Sequence, residues 1–337
     1  MTFDTAETVE LGGVAVPRHF GEAAGEYSAA WQGVVVIPRS HEGRVRAIGR
    51  DRLDLLHRMS TNSLNDLPMG QARATVLTTA IARMVDVLWV LNRGETVLAL
   101  TSVGRATAVR RWLAGYIFYN DQVKFEDAGA SLGQLGLYGP RAAEAAEALL
   151  PGAGALAPNH FIEQDGVIAW RGRPLAGEGF TLIAPAEQAP VLWERALAAG
   201  AIPAGEDAFQ MLRLQAGLPY VGHELTEDYI PLEANMWDAV SFSKGCYIGQ
   251  EIIARMESRG KLARRLLGLK LAAPVSQGAQ VRVGAPEGAL AGTVTTAGVL
   301  PDHGPVALAY LKTSQAVVGT NVVVGGVEGT VVAAPFC

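Results

Sequence analysis

Lys244-Gly245-Cys246-Tyr247-Ile248-Gly249-Gln250-Glu251 has the layout of a turn that leads into a helix. Two glycines mark the turn, and the Gln-Glu pair opens the predicted helix. A thiol at this position, with Lys244 two residues before it, is placed where a helix N-terminus and a cation favour the thiolate. Two interpretations of Cys246 stay open: a small residue that fills a turn, or an activated thiol.

A basic run follows this segment. Its cations, interrupted only by Glu257, are Arg255, Arg259, Lys261, Arg264 and Arg265. A solvated helix face is the default interpretation of such a run. The alternative is a site for an anion, which could be a phosphate, a polyglutamyl tail or a nucleic-acid backbone.

The composition is that of a globular protein, with 49% apolar and 18% charged residues in a chain of 337. This length predicts two or three domains. The net charge of −5 argues against wholesale electrostatic binding of nucleic acid. The two cysteines, Cys246 and Cys337, do not make a disulfide framework and fit a reducing compartment. Without a secretory leader or a long apolar run, we predict a cytoplasmic protein with no membrane partner.

The pattern of predicted secondary structure changes near residues 261–267. Before this point predicted strands and helices mix without strict alternation, which disfavours a doubly wound sheet. After it, short β-branched runs separated by Gly and Pro predict a small barrel. We therefore predict an α+β fold with domains at 1–262 and 263–337. The six histidines are too scattered for ligand spacing, so no metal site is predicted.

Several side chains in apolar or patterned surroundings are candidates for chemistry. Asp86 lies in an apolar strand, where a poorly satisfied polar group costs about 2–7 kcal/mol, so it sits at an edge or serves a function. Glu233 is open to the same two interpretations, an edge position or a function. Arg213 and Gln215 close a predicted helix, and one of them is expected to face inward.

An aromatic cluster, Tyr116, Phe118 and Tyr119, follows a predicted helix. Its residue types favour a place in the core over a platform for a ligand.

The segment KGCYIGQEIIARMESRGKLARRLLGL (244–269) resembles the signature of the YgfZ family. That family comprises folate-binding proteins related to the T protein (aminomethyltransferase) of the glycine cleavage system, and it includes mitochondrial iron–sulfur assembly factors. Residues 44–67 and 212–236 resemble two further family motifs, and Ala334-Pro335-Phe336 resembles the close of the last barrel. The resemblance covers about residues 34–337.

The resemblance implies an aminomethyltransferase-like folate-binding fold: two α+β subdomains and a C-terminal β-barrel, arranged like a ring around a channel for tetrahydrofolate. It implies Cys246 and Asp86 as the catalytic candidates. The residues expected to bind the folate cofactor are Asp86, Tyr119, Arg213, Gln215, Glu233, Lys244, Tyr247 and Arg255.

The sequence departs from the family pattern at two positions. Aminomethyltransferases carry an acidic pair in the strand matching 84–90, where this chain has Asp86 followed by Val87. The R-x-E motif reads Arg213-Leu214-Gln215. A carboxylate can accept two parallel hydrogen bonds from a pterin, whereas a glutamine offers one oxygen and one donor group. The departure at Val87 concerns the aminomethyl chemistry, and the departure at Gln215 concerns the affinity for folate.

From the sequence we therefore expect a tetrahydrofolate-binding accessory protein for the maturation or repair of iron–sulfur clusters. Its partners would be a folate, iron–sulfur client or assembly proteins and, on the weakest grounds, tRNA in support of tRNA modification. The alternative is a folate-dependent aminomethyl- or methyltransferase that resembles the glycine cleavage T protein, with Asp86 as its polar catalytic group.

Overall fold

The computed structural model describes residues 7–336, which form two compact units. Unit 1 comprises residues 7–77, 86–209 and 243–247, and unit 2 comprises residues 78–85, 210–242 and 248–336. The elements, in chain order, are β1 (Thr8–Leu11), β2 (Val14–Pro17), α1 (Ala23–Gln32), β3 (Val35–Pro38), β4 (Glu42–Ile48), α2 (Arg52–Met59), β5 (Ala72–Thr78), β6 (Met84–Asn92), β7 (Thr96–Val103), α3 (Ala106–Ala114), β8 (Lys124–Asp127), β9 (Leu132–Gly139), α4 (Ala142–Leu149), β10 (Phe161–Gln164), β11 (Val167–Ala176), β12 (Glu178–Pro185), α5 (Ala189–Ala198), β13 (Ile202–Pro203), α6 (Glu206–Gln215), a 3-10 helix (Trp237–Ala239), α7 (Gln250–Arg259), β14 (Arg264–Leu271), β15 (Gln280–Val283), β16 (Leu290–Leu300), β17 (Gly304–Lys312), β18 (Asn321–Val324) and β19 (Val327–Val332).

A five-stranded sheet in unit 1 has the strand order β5-β6-β7-β4-β8. Strand β6 alternates buried and less buried residues along its first half, because successive side chains point to opposite faces of a sheet. Helices α2 and α3 bury one apolar side each, which includes Leu55 and Leu56 of α2 and Leu113 of α3. The sheet therefore holds Asp86 of β6 on a buried face.

A second sheet in unit 1 has six strands in the order β10-β11-β12-β9-β3-β13. Its last strand, β13, runs parallel to β3, whereas β10 with β11, β11 with β12, β12 with β9 and β9 with β3 pair antiparallel. Helices α4 and α5 cover it, and their core includes Leu137, Phe180, Leu182 and Trp193. Burying one such side chain contributes about 1.5–3 kcal/mol, so this layer is a substantial part of the stability of unit 1.

Six strands of unit 2 form a closed barrel in the order β14-β17-β16-β15-β18-β19. Strand β14 pairs with both β17 and β19, which closes the barrel and leaves no open edge. The register between β16 and β17 shifts between Val294 and Thr296, so Thr295 is the extra residue of a β-bulge. The predicted α+β fold with a C-terminal β-barrel is confirmed. The boundary at 262/263 stays a prediction.

The aromatic run 116–119 is not part of the core, so that prediction is wrong. The exposed fractions of Tyr116, Phe118 and Tyr119 are 38%, 62% and 103%. The run lies in the connection between α3 and β8 rather than in a strand, and no buried face is available to it there. The ring of Trp112 contacts Tyr116 at a centroid distance of 4.8 Å, and the Arg58 guanidinium lies 5.8 Å from the Phe118 ring.

No helix among residues 7–336 is long and apolar enough to cross a membrane.

Candidate functional site

Asp86 is a buried carboxylic acid in unit 1. Its residue is 2% exposed, one oxygen accepts a 2.9 Å hydrogen bond from the Val87 N–H, and the other accepts a 3.4 Å bond from the Ser102 N–H. Burial raises the pKa of Asp86 to about 6, while the hydrogen bonds from Ser102 and Val87 and the charge of Arg105 oppose that rise. A carboxyl that titrates near neutrality can accept and return a proton at physiological pH.

Val87, the position of the missing second acid, lies next to Asp86 on the same strand. Successive side chains of a strand point to opposite faces, and Val87 is less buried than Asp86. A carboxylate at position 87 would therefore face away from the Asp86 carboxyl. This departure leaves the polar environment on the Asp86 side intact.

Lys244 anchors the cysteine loop to helix α2 within unit 1. Its ammonium donates to the carbonyl of His57, to that of Ser60 at 2.7 Å and to that of Asn62 at 2.9 Å. These groups lie in the last turn of α2 and just after it, where a cation complements the helix dipole. Burial lowers the pKa of Lys244 to about 8, and three carbonyl acceptors favour its charged form.

Cys246 is exposed on this anchored loop. Lys244 also lies 5.0 Å from the centroid of the buried Tyr247 ring, so two neighbours of the thiol are fixed. The ammonium is directed at backbone carbonyls, and its first role here is to hold the loop. The predicted helix after the motif is confirmed as α7.

Steric constraints require a glycine at position 249, whereas position 245 has room for a side chain. Gly249 has φ +84°, and a Cβ there would lie 2.8 Å from the Thr79 carbonyl oxygen and 2.9 Å from the Ala82 Cα. In the same part of unit 2, the Thr78 hydroxyl donates to the Ile248 carbonyl at 2.6 Å. A Cβ at Gly245 would meet nothing within 4 Å.

In unit 2, Arg213 is buried against a carboxylate that the sequence reasoning missed. Its guanidinium lies 3.3 Å from Glu224, and the two residues are 2% and 0% exposed. The hydroxyls of Thr295 and Thr296 both donate to the same Glu224 oxygen at 2.6 Å. Adjacent strand residues normally face apart, and the bulge at Thr295 lets both reach Glu224. This network joins α6 to the barrel.

Gln215, two residues on, is buried beside an imidazole. Its amide nitrogen lies 3.0 Å from His303 Nε2, in the hairpin between β16 and β17. With the amide nitrogen as donor, His303 Nε2 is the acceptor. Gln215 thus places an amide where the family motif has a carboxylate. The contact with His303 fixes the orientation of that amide.

Glu233 lines a polar cavity of about 390 Å³ within unit 2, together with Arg83, Tyr229 and Arg264. Its carboxylate accepts a 3.2 Å hydrogen bond from the Ile230 N–H, and burial raises its pKa. The Tyr229 ring stacks on Tyr310 with centroids 3.4 Å apart. The cavity thus holds three carboxyl side chains, Glu227, Asp228 and Glu233, beside two cations and the Tyr229 ring.

The predicted site residues fall into separate groups. Asp86, Lys244, Cys246, Tyr247 and Tyr119 belong to unit 1, where Lys244, Cys246 and Tyr247 share one loop and Tyr119 is fully exposed. The unit 2 group is Arg213, Gln215, Glu233 and the exposed Arg255.

The residues that sequence reasoning missed are Glu224, Thr295, Thr296, His303 and Tyr229. Glu224 lies in a Gly-His-Glu-Leu stretch directly after the Arg213 motif, which was the one available signal.

The sequence and the fold both agree with one family of proteins. Residues 2–244 match the family described as GCVT N-terminal domain, and the chain belongs to that family.

The chain is 33% identical over 313 residues to a chloroplastic protein of Arabidopsis thaliana that is named as a transferase, a match that covers 90% of this chain and 71% of that protein. It is 31% identical to the aminomethyltransferase of Geobacillus thermodenitrificans over 98% of this chain and 94% of that protein. The crystal structure of the glycine cleavage system aminomethyltransferase T from Bartonella henselae matches with a TM-score of 0.90, at 25% identity, over 98% and 94% of the two chains.

Proposed function

We propose that this protein binds a tetrahydrofolate and transfers a one-carbon group, aminomethyl or methyl, with Asp86 as its acid–base group. The observation that carries the proposal is the buried Asp86 carboxyl, whose pKa is raised to about 6. Relatives named as aminomethyltransferases match nearly the full length of the chain. They support a transferase better than an accessory role.

The residues present fit a pterin in their chemistry. A pterin needs acceptors for its amino and ring N–H groups and an apolar, flat surface. Asp86 of unit 1 and Glu233 of unit 2 are each buried carboxyls, and the Tyr229 ring lines the same unit 2 cavity as Glu233. Bound tetrahydrofolate would supply the nitrogen that carries the one-carbon group.

Asp86 has one task in this mechanism, the movement of a proton. At pH 7 a carboxyl with this pKa is ionised in about nine molecules of ten, and it is ready to accept the proton that an attacking nitrogen loses. The resulting acid then returns that proton to the leaving amine, so the carboxyl ends as it began. Its buried position excludes water that would otherwise compete for the proton.

The test is turnover of a panel of aminomethyl and methyl donors in the presence of tetrahydrofolate. We expect turnover by the wild type, its loss in Asp86→Asn, and tetrahydrofolate binding by calorimetry in both. Asp165→Asn is the matched control, because Asp165 is exposed in a turn with φ +51°, which asparagine tolerates. No folate-dependent turnover by the wild type across the panel would remove the proposal.

A second candidate is the accessory role in iron–sulfur cluster maturation, and the exposed Cys246 on its anchored loop favours it. Here the thiol would contact a cluster or client protein transiently. The experiment is complementation of a deletion strain by Cys246→Ser, with Cys337→Ser as the second-cysteine control. Full iron–sulfur enzyme activity in the Cys246→Ser strain would exclude the thiol role.

A further inference from the structure

Asp86 is buried, yet its carboxyl must be ionised near neutral pH if it is to accept a proton. The residue is 2% exposed, and burial by itself disfavours the charged form of a carboxyl. The groups that oppose this effect therefore decide whether Asp86 can act as a base. One of them is a side chain on the neighbouring strand, Ser102 of β7.

Ser102 contacts Asp86 through two separate donors. Its backbone N–H lies 3.4 Å from Asp86 Oδ2, and its side chain also hydrogen-bonds to the carboxyl. The other oxygen, Oδ1, accepts the 2.9 Å bond from the Val87 N–H. An ionised carboxylate has no proton to donate, so the serine hydroxyl is the donor in that state. A substitution at position 102 can remove the hydroxyl alone, because the N–H belongs to the main chain.

The hydroxyl favours the ionised form of Asp86 over the protonated form. A hydrogen bond to a charged acceptor is roughly twice as strong as one between neutral groups. When Asp86 takes up a proton, the hydroxyl can rotate and accept the new O–H, since a serine oxygen is both donor and acceptor. Ser102 therefore stays bonded to the carboxyl in both states and keeps its own proton.

The main chain at Ser102 is held in place through its carbonyl oxygen. That oxygen accepts a 3.1 Å bond from the Thr101 hydroxyl and a 3.1 Å bond from the Arg105 N–H, at the end of β7 and just before α3. The two donors of Ser102 are thus presented to Asp86 from an anchored backbone. Little reorganisation is needed when the charge of the carboxyl changes.

Few charges on the adjoining strands compete with this contact. Strand β6 lies between β5 and β7 in the sheet; it carries no titratable side chain besides Asp86, and β7 carries none. The cation of β5, Arg73, pairs with Asp66 at 2.7 Å. Within residues 7–336, the charge that acts on the Asp86 carboxyl is that of Arg105.

We propose that Ser102 is a positioning residue for the proposed reaction: its hydroxyl orients the Asp86 carboxyl and keeps that carboxyl able to accept a proton. The inference rests on the proposed function, in which Asp86 is the acid–base group. Ser102 acts through Asp86, and no bond of the serine forms or breaks.

The experiment compares the wild type with Ser102→Ala in two measurements. One is the pH profile of kcat/KM, and the other is the titration of the Asp86 carboxyl carbon by ¹³C NMR without a ligand. Loss of the hydroxyl should raise the pKa of Asp86, so the acid limb of the profile should move up by about one pH unit. Relative to the wild type, kcat/KM should then fall about ninefold at pH 5 and about twofold at pH 7, and it should be unchanged at pH 9. The NMR titration should move by the same amount.

Two further variants serve as controls. Ser102→Thr keeps the hydroxyl, so its acid limb and its NMR titration should lie at the wild-type pH values; a displacement as large as that of Ser102→Ala would overturn the role of the hydroxyl. Thr107→Ala is the matched control, because it removes an exposed hydroxyl that donates to another carboxylate of unit 1, Asp127, at 2.9 Å. It should leave the titration of Asp86 where it is.

An Asp86 titration that is the same in the wild type and in Ser102→Ala would overturn the proposal. A loss of kcat/KM that is equal at every pH would also overturn it, because a merely structural role has that effect. A wild type without folate-dependent turnover would overturn the proposed function, and the NMR titration would still decide whether Ser102 controls the carboxyl. If the titration moves while the acid limb does not, Asp86 does not set the limb, and its acid–base role falls together with the role of Ser102.

Discussion

Replacing Asp86 by asparagine should stabilise the protein at alkaline pH while abolishing its activity. The pKa of Asp86 rises from its ordinary 3.8 to about 6 through burial. Between these pH values the folded state binds more protons than the unfolded state, so stability falls as pH rises. A difference of about two pKa units, at about 1.4 kcal/mol each, is a cost of about 3 kcal/mol above pH 7.

Asparagine has nearly the same shape and no charge to bury. It loses part of the bonding to Val87 and Ser102, a loss that does not depend on pH, so the pH dependence isolates the charge. From the two pKa values, the cost of ionised Asp86 is about 2 kcal/mol at pH 5 and about 3 kcal/mol at pH 8. The stability of Asp86→Asn relative to the wild type should therefore increase by about 1 kcal/mol between these pH values.

The assay is urea denaturation of both proteins at pH 5 and pH 8, followed by tryptophan fluorescence. Equal slopes of the transitions would show that the comparison of midpoints measures stability alone. A relative stability of Asp86→Asn that is the same at both pH values would refute the reasoning, because the carboxyl would then have an ordinary pKa. The acid–base role proposed for it would lose its physical basis.

Three further changes test the other polar groups. Arg213→Met leaves the buried Glu224 with its hydroxyl donors but without its cation, so the free energy of unfolding should fall by about 3–5 kcal/mol in denaturant titration; an unchanged midpoint would contradict the buried pair. Lys244→Met removes the donor of three carbonyls and should cost about 1–3 kcal/mol, with faster amide exchange around Cys246. If exchange there stays slow, the lysine does not hold the loop. Gln215→Glu restores a two-acceptor group and should tighten tetrahydrofolate binding about tenfold in calorimetry, since hydrogen bonds to a charged acceptor are stronger; weaker binding would show that the amide is the better partner.

The sequence was sufficient for features whose signal is local. Asp86 was recognised because a carboxylate interrupts an apolar strand, and the barrel was recognised from short β-branched runs between turns. The aromatic run at 116–119 was misjudged because residue type says nothing about the face on which a connection lies.

Other contacts had no local signal. The Gln215–His303 contact spans 88 positions, and the contact of Thr295 with Glu224 spans 71. Such pairs depend on how β16 folds back, with its bulge, and periodicity does not encode that. The role of Lys244 was invisible for another reason. Its partners are backbone carbonyls, which every residue has.

The Lys244 anchor also has a consequence for the order of events during synthesis. Asn62 leaves the ribosome 182 residues before Lys244. At a synthesis rate of about 5–20 residues per second, the carbonyls at the end of α2 lack the Lys244 ammonium for roughly 10–40 s. During that time water must satisfy them, and unit 1 lacks residues 243–247 until the whole of 210–242 has been made. A nascent chain stalled before residue 243 therefore exposes an unfinished helix end, so the closure of unit 1 requires translation to proceed past residue 247.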